Sequence, residues 1–140
     1  MELRIFASAF STYSANSQSN PTFYMEQMKV LIVDDNEKIR ELVRDYLPAS
    51  VDEIYECADG SEAFALYQTH LPDWVLMDIN MKDVDGISAT RQIIAAYPKA
   101  RVMMVTDYQE EELRNAAFEA GACQYVVKED LLSISKILTV

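Results

Sequence analysis

Basic residues are scarce in this chain. Twelve Lys and Arg stand against 23 Asp and Glu, for a formal net charge of −11. That argues against nonspecific nucleic-acid binding, because phosphate backbones need a basic face. The acidic surplus suits a cation site, a basic partner surface, or plain solubility. Cysteine is limited to Cys57 and Cys123, both inside segments that read as strands and neither at metal-ligand spacing. They read as buried free thiols in a reducing compartment, which implies a cytoplasmic location. No apolar run approaches the ~20 residues of a membrane-spanning helix. A Gly/Ser-rich linker is also missing, and with it any sign of a second domain. Half of the 140 residues are apolar and a quarter are charged. That composition suits one globular domain with a real core.

The first 25 residues differ from the rest. Ser11, Ser14, Ser17 and Ser19 alternate with Asn, Thr and Ala, and Glu2 and Arg4 are the only charges. A signal peptide needs a longer apolar stretch and a more basic start. Residues 1–27 therefore read as a disordered leader, or as a misassigned start with Met25 or Met28 opening the domain.

From Met28 the pattern is strand then helix, five times over. The strands are read as Lys29 to Asp34, Glu53 to Ala58, a run from Trp74 to Asp78, Arg101 to Val105, and Cys123 to Val127. The first helix carries Ile39, Leu42, Val43, Tyr46 and Leu47 on one face, and Pro48 ends it. The second buries Ala63, Leu66 and Tyr67. The third starts near Asp85-Gly86 and buries Ile87, Thr90, Ile94 and Tyr97 before Pro98. The fourth carries Leu113, Ala116, Ala117 and Ala120, with Gly121 as its C-cap. A last helix uses Leu131, Ile134 and Leu138. Short continuous apolar runs are what doubly covered parallel strands require. The class is thus α/β, with a doubly wound five-stranded parallel sheet and helices on both faces.

In an open parallel sheet, function gathers outside the carboxyl ends of the strands. The polar residues that close these runs are Asp34 and Asp35, Asp78, Thr106 and Lys128. Singly, an aspartate at a strand end is often a helix cap, Thr106 a strand or capping residue, and Lys128 a solvated charge. Their conjunction at successive strand ends points to one pocket. Two unit charges at about 4 Å repel by roughly 4 kcal/mol at an effective dielectric of 20. Three clustered carboxylates therefore call for a hard divalent cation. Mg²⁺ fits, since it takes few carboxylates alongside water and phosphate oxygens. A carboxylate there can act as a nucleophile toward phosphorus. Lys128 can neutralise phosphoryl oxygens and the Thr106 hydroxyl can donate to another.

These residues closely resemble the receiver domain of two-component response regulators, over about residues 28–140. The resemblance rests on Val30-Leu31-Ile32-Val33-Asp34-Asp35-Asn36, on Ala58-Asp59-Gly60-Ser61-Glu62-Ala63, and on Asp73-Trp74-Val75-Leu76-Met77-Asp78 followed by Met81 and Asp85-Gly86. Thr106, Gly121-Ala122 and Tyr125-Val126-Val127-Lys128 complete it. It implies a flavodoxin-like sheet of strand order 2-1-3-4-5. It implies that Asp78 is the phosphoacceptor and that Asp35 ligates Mg²⁺ directly. Asp34 would act on the ion through water, with the backbone carbonyl of Asn80 as a further ligand. Thr106 and Lys128 would contact the phosphoryl group, and Tyr125 would be the aromatic that follows the threonine. The donor would be a sensor histidine kinase or a histidine phosphotransfer protein. The chain would catalyse transfer onto itself rather than turn over a free substrate. His70, the only histidine, reads as a surface loop residue, so no internal His-to-Asp relay is expected. The pattern departs from the family at Lys82 and Glu129, where Pro is common, and at Asp107, where a small residue is common.

Two rivals share this architecture. An aspartate-nucleophile phosphatase wants a carboxyl two residues after the nucleophile, and Asn80 stands there instead. A flavin module wants a first loop rich in Ser, Thr and Gly, and Asp34-Asp35 would repel its phosphate. For output, the resemblance points to the fourth helix, fifth strand and fifth helix as a switch surface, with a phosphorylation-dependent homodimer as one use. No segment remains for binding nucleic acid, so the chain reads as a single-domain regulator or as a fragment of a longer DNA-binding one.

Overall fold

The computed structural model of the chain describes residues 3–5 and 27–139. Its strands are β1 (Leu3–Ile5), β2 (Met28–Val33), β3 (Val51–Cys57), β4 (Trp74–Met77), β5 (Val102–Thr106) and β6 (Gln124–Val127). Between and after them lie α1 (Glu37–Asp45), α2 (Gly60–His70), α3 (Gly86–Ala96), α4 (Glu111–Ala120) and α5 (Leu132–Leu138). A single 3₁₀ turn, Lys128–Asp130, joins β6 to α5.

The sheet order is β1-β3-β2-β4-β5-β6. The five strands from β2 onward are parallel and follow the expected 2-1-3-4-5 order. The alternating apolar positions of each strand divide between two cores. Leu31, Val33, Val75, Met77, Val102 and Met104 face Ala63 and Tyr67 of α2, Ala89 and Ile93 of α3, and Ala117 of α4. Val30, Ile32, Leu76, Met103, Val105 and Val126 face Val43 of α1 and Ile134 and Leu138 of α5. Helices thus cover both faces, as right-handed crossovers between parallel strands require.

Several local expectations need correction. The sheet has a sixth strand: Leu3–Ile5 pairs antiparallel with Glu53–Tyr55 on the outer edge of β3. The leader reading had no strand there; residues 6–26 lie outside the described residues. Cys57 is buried as expected, but Cys123 is exposed. It precedes β6 rather than lying within it, and only its main chain pairs, with the Val102 carbonyl. Leu42 is exposed, so the buried stripe of α1 narrows to Val43, flanked by half-buried Ile39 and Tyr46. On α3 the fully buried positions are Ala89, Thr90 and Ile93, with Ile87 and Ile94 at the margins. His70 is no loop residue: it ends α2 and stacks on Tyr55 at 3.8 Å. Among the described residues, no helix is long and apolar enough to cross a membrane.

Candidate functional site

Register aligns the strand ends. Val33 pairs with Cys57 on one side and Met77 on the other. Asp34 and Asp78 therefore leave the sheet side by side. The ladder continues past the strands, with the Asp78 N–H donating to the Val33 carbonyl at 2.9 Å and the Asp34 N–H to Cys57 at 3.1 Å. Both aspartates are buried, at 3% and 6% exposure, whereas Asp35 is exposed. One carboxylate oxygen from each of Asp34, Asp35 and Asp78 falls within 4.8 Å of the others.

Lys128 is the counterion. Its Nζ lies 2.9 Å from Asp34 Oδ2 and 3.4 Å from Asp78 Oδ1. Burial alone would lower its pKa, but the hydrogen bond and charge of Asp34, then Asp78 and Asp107, raise it. Asp78 moves the other way from an ordinary carboxyl. Burial, then the charge of Asp34, push it from 3.8 up to about 6 against the pull of Lys128. Asp78 Oδ1 also accepts the Ile79 N–H at 2.9 Å. Both of these contacts fall on Oδ1.

These three aspartates, Asn80, Asp107 and Lys128 line an open cavity of about 220 Å³ together with Asn36, Ile39 and Tyr108. Thr106 is fully buried at the end of β5 and does not form part of that wall. Its Oγ1 accepts the Tyr108 N–H at 3.3 Å, and the Tyr108 carbonyl accepts the Tyr125 hydroxyl at 2.8 Å. Both hydroxyls that the sequence singled out thus grip one residue of the loop between β5 and α4.

Other groups were not legible as part of the site. Asn36 caps α1, accepting the N–H groups of Lys38 and Ile39, and its own N–H donates to Asp34 Oδ1. Such a cap is worth about 1 kcal/mol, and here it also orients a carboxylate. Glu56 is buried and pairs with Arg40 at 2.9 Å and with Arg44. Arg40 also donates to the Asp34 carbonyl at 2.6 Å. The available signal was two arginines four apart on α1, one helical turn, opposite a polar strand residue.

Gly86 seals the far side. A Cβ there would lie 1.9 Å from the Asp78 carbonyl oxygen. Gly86→Ala must move that backbone and is expected to cost about 3 kcal/mol in urea unfolding. A variant as stable as the parent would mean that this approach is not a constraint.

Comparison with known proteins agrees with this geometry. Residues 30–138 match the response regulator receiver domain family. The response regulator protein VraR of Staphylococcus aureus is 38% identical over 103 residues, which is 72% of this chain and 49% of VraR. The chain thus spans about half the length of the curated relatives it matches. A LuxR-family two-component response regulator from an Aurantimonas species superposes with a TM-score of 0.67 at 35% identity, covering 74% of this chain and 75% of that one. CheY of Borrelia burgdorferi, in a complex with CheX, BeF3 and Mg²⁺, gives 0.72 at 29% identity over 81% and 90%. On its sequence match, its sheet order and its strand-end residues together, the chain belongs to the response regulator receiver domain family of two-component systems.

Proposed function

We propose that the chain is the phosphoacceptor of a two-component phosphorelay, with Asp78 taking a phosphoryl group from a phosphohistidine. The observation that carries this reading is the buried pair Asp34 and Asp78 at neighbouring strand ends, spanned by Lys128 and joined by Asp35. Three carboxylates against one ammonium leave surplus negative charge. Their hard oxygen donors fit Mg²⁺, and the Borrelia relative was crystallised with that ion. Asp34, Asp35 and Asp78, with the Asn80 backbone carbonyl, would hold it. When bound, Mg²⁺ supplies charge neutralisation for the carboxylates and the phosphoryl oxygens.

The chain's own residues do the rest. The Asp78 carboxylate attacks phosphorus as the N–P bond of the donor breaks and its electron pair returns to the imidazole nitrogen. Lys128 meets the charge on one phosphoryl oxygen as a point cation. Thr106, buried at the end of β5 and bonded to Tyr108, would donate its hydroxyl proton to another as the loop to α4 shifts. Tyr125 is tied to the same loop, so the shift reaches the face made by α4, β6 and α5. Output is then a change in protein contacts there, including self-association. The chemistry occurs once per phosphoryl group on the chain's own aspartate, so the protein is a switch rather than an enzyme acting on a free substrate. A sensor histidine kinase or phosphotransfer protein is the partner. The half-length match to VraR favours one second reading of the output, a receiver segment of a longer DNA-binding regulator.

The test is intact-protein mass after incubation with Mg²⁺ and acetyl phosphate. The parent should gain one phosphoryl group, and neither Asp78→Ala nor a chelated sample should. A parent that gains none, even from candidate histidine kinases, would overturn the proposal.

A further inference from the structure

We infer that Asp59 is a positioning residue for the cation pocket. Its carboxylate fixes the segment between Asp78 and α3 and so sets how tightly the pocket holds a divalent ion. The inference rests on the Mg²⁺ reading above. Asp59 opens α2 as its N-cap, with Oδ2 accepting the Ser61 N–H at 2.8 Å. A cap needs no more than that. Yet Oδ1 also accepts the Asp83 N–H at 2.9 Å, and Oδ2 the Val84 N–H at 3.1 Å. Those donors lie 24 and 25 residues away in sequence, on the segment that carries Asn80.

The same segment is pinned again beside them. The Gly60 N–H donates to the Val84 carbonyl at 3.2 Å, and the Gly86 N–H to the Ile79 carbonyl at 2.8 Å. At Gly60 a Cβ would lie 2.4 Å from the Val84 oxygen, so the two backbones meet with no room between them. Asp59 is itself only 9% exposed. Burial would raise its pKa, but the Asp83, Ser61 and Val84 N–H groups together with the Ser61 hydroxyl outweigh it and hold the group at about 2, so it stays an acceptor. It forms no ion pair with a described lysine or arginine, and backbone dipoles meet its charge. Mg²⁺ demands near-ideal octahedral geometry and tolerates displaced ligands poorly. Asn80 lies three residues before Asp83, so slack in the clamp reaches the pocket wall directly.

Asp59→Ser separates the two roles. Serine still caps a helix but is too short to hold the distant N–H groups. Ile134→Val, in the opposite core, supplies a mild destabilisation far from the clamp. Calorimetric titration with Mg²⁺ is expected to show affinity about 10-fold weaker for Asp59→Ser, in line with other groups that orient metal ligands. Ile134→Val should match the parent. Asp59→Asn keeps the side chain's shape but turns an amide N–H toward one donor, and should weaken binding in the same direction if Asp59→Ser does not fold. Affinity within twofold of the parent in the Asp59 variants, or an equal loss in Ile134→Val, would overturn the inference. A parent that takes up no Mg²⁺ would be a different failure, removing the metal reading and this inference with it.

Discussion

Asp78→Asn should abolish phosphoryl acceptance and yet raise the melting temperature of the metal-free protein at neutral pH. The two effects have one cause. Asp78 is buried beside Asp34, and its pKa rises from 3.8 in the unfolded chain to about 6 in the fold. Between those values the native state holds a proton that the unfolded state has lost. Stability from this group is therefore greatest below about pH 4 and falls as pH rises to about 6. Above that it stays flat. The rise from 3.8 to about 6 corresponds to about 3 kcal/mol. Asparagine removes this cost but also weakens the contact with Lys128, so a net gain of about 1–2 kcal/mol is expected at pH 7, or several degrees. The gain should vanish near pH 4. It should shrink or reverse with Mg²⁺, which stabilises whichever form binds it. Scanning calorimetry of both proteins in EDTA at pH 7 decides the matter. A variant melting at or below the parent would show that the pair is not in conflict. The conflict lies between Asp34 and Asp78, not at exposed Asp35, because only the buried pair lacks water to screen it.

Lys128→Met is expected to do the opposite to stability and the same to chemistry. Lys128 bridges both buried carboxylates. Removing one partner of a buried pair leaves uncompensated charge and typically costs about 3–5 kcal/mol. Here Asp78 can take up a proton, so the lower end, about 3 kcal/mol in EDTA, is expected. A divalent cation should restore part of that loss, so the gap between EDTA and Mg²⁺ in urea unfolding should widen relative to the parent. Phosphorylation by acetyl phosphate should slow by about 100-fold or more, as when a positioned donor to a developing oxyanion is removed. An unchanged rate would show that Lys128 is a structural counterion only.

Much of the site was legible because a parallel sheet converts sequence into position. Each of Asp34, Asp78, Thr106 and Lys128 closes or follows an apolar run, and all such ends lie on one side. What a run cannot say is which way its last side chain points. Thr106 ends β5 as expected yet its side chain is fully buried. The same limit explains Ile93 and Ile94, adjacent and equally apolar, of which the first is fully buried. Cys123 read as buried because it was placed inside the last strand, but that strand starts one residue later. Glu56 lies in a strand of mixed polarity, and only its two arginines on α1 reveal that it is inside. The three-residue β1 carries too little pattern to be read at all, since its existence depends on the edge of β3 rather than on its own residues.

That short strand has a consequence for how copies of this protein can meet. A sheet edge is an unfinished ladder whose spare main-chain groups invite another strand. With Leu3–Ile5 paired along Glu53–Tyr55, the rim of β3 is closed over that stretch. Among the described residues the other edge strand is β6, beside the face that carries Tyr125. Copies joining by strand addition would meet the outer rim of Leu3–Ile5 or that of β6, not the stretch of β3 that Leu3–Ile5 already pairs.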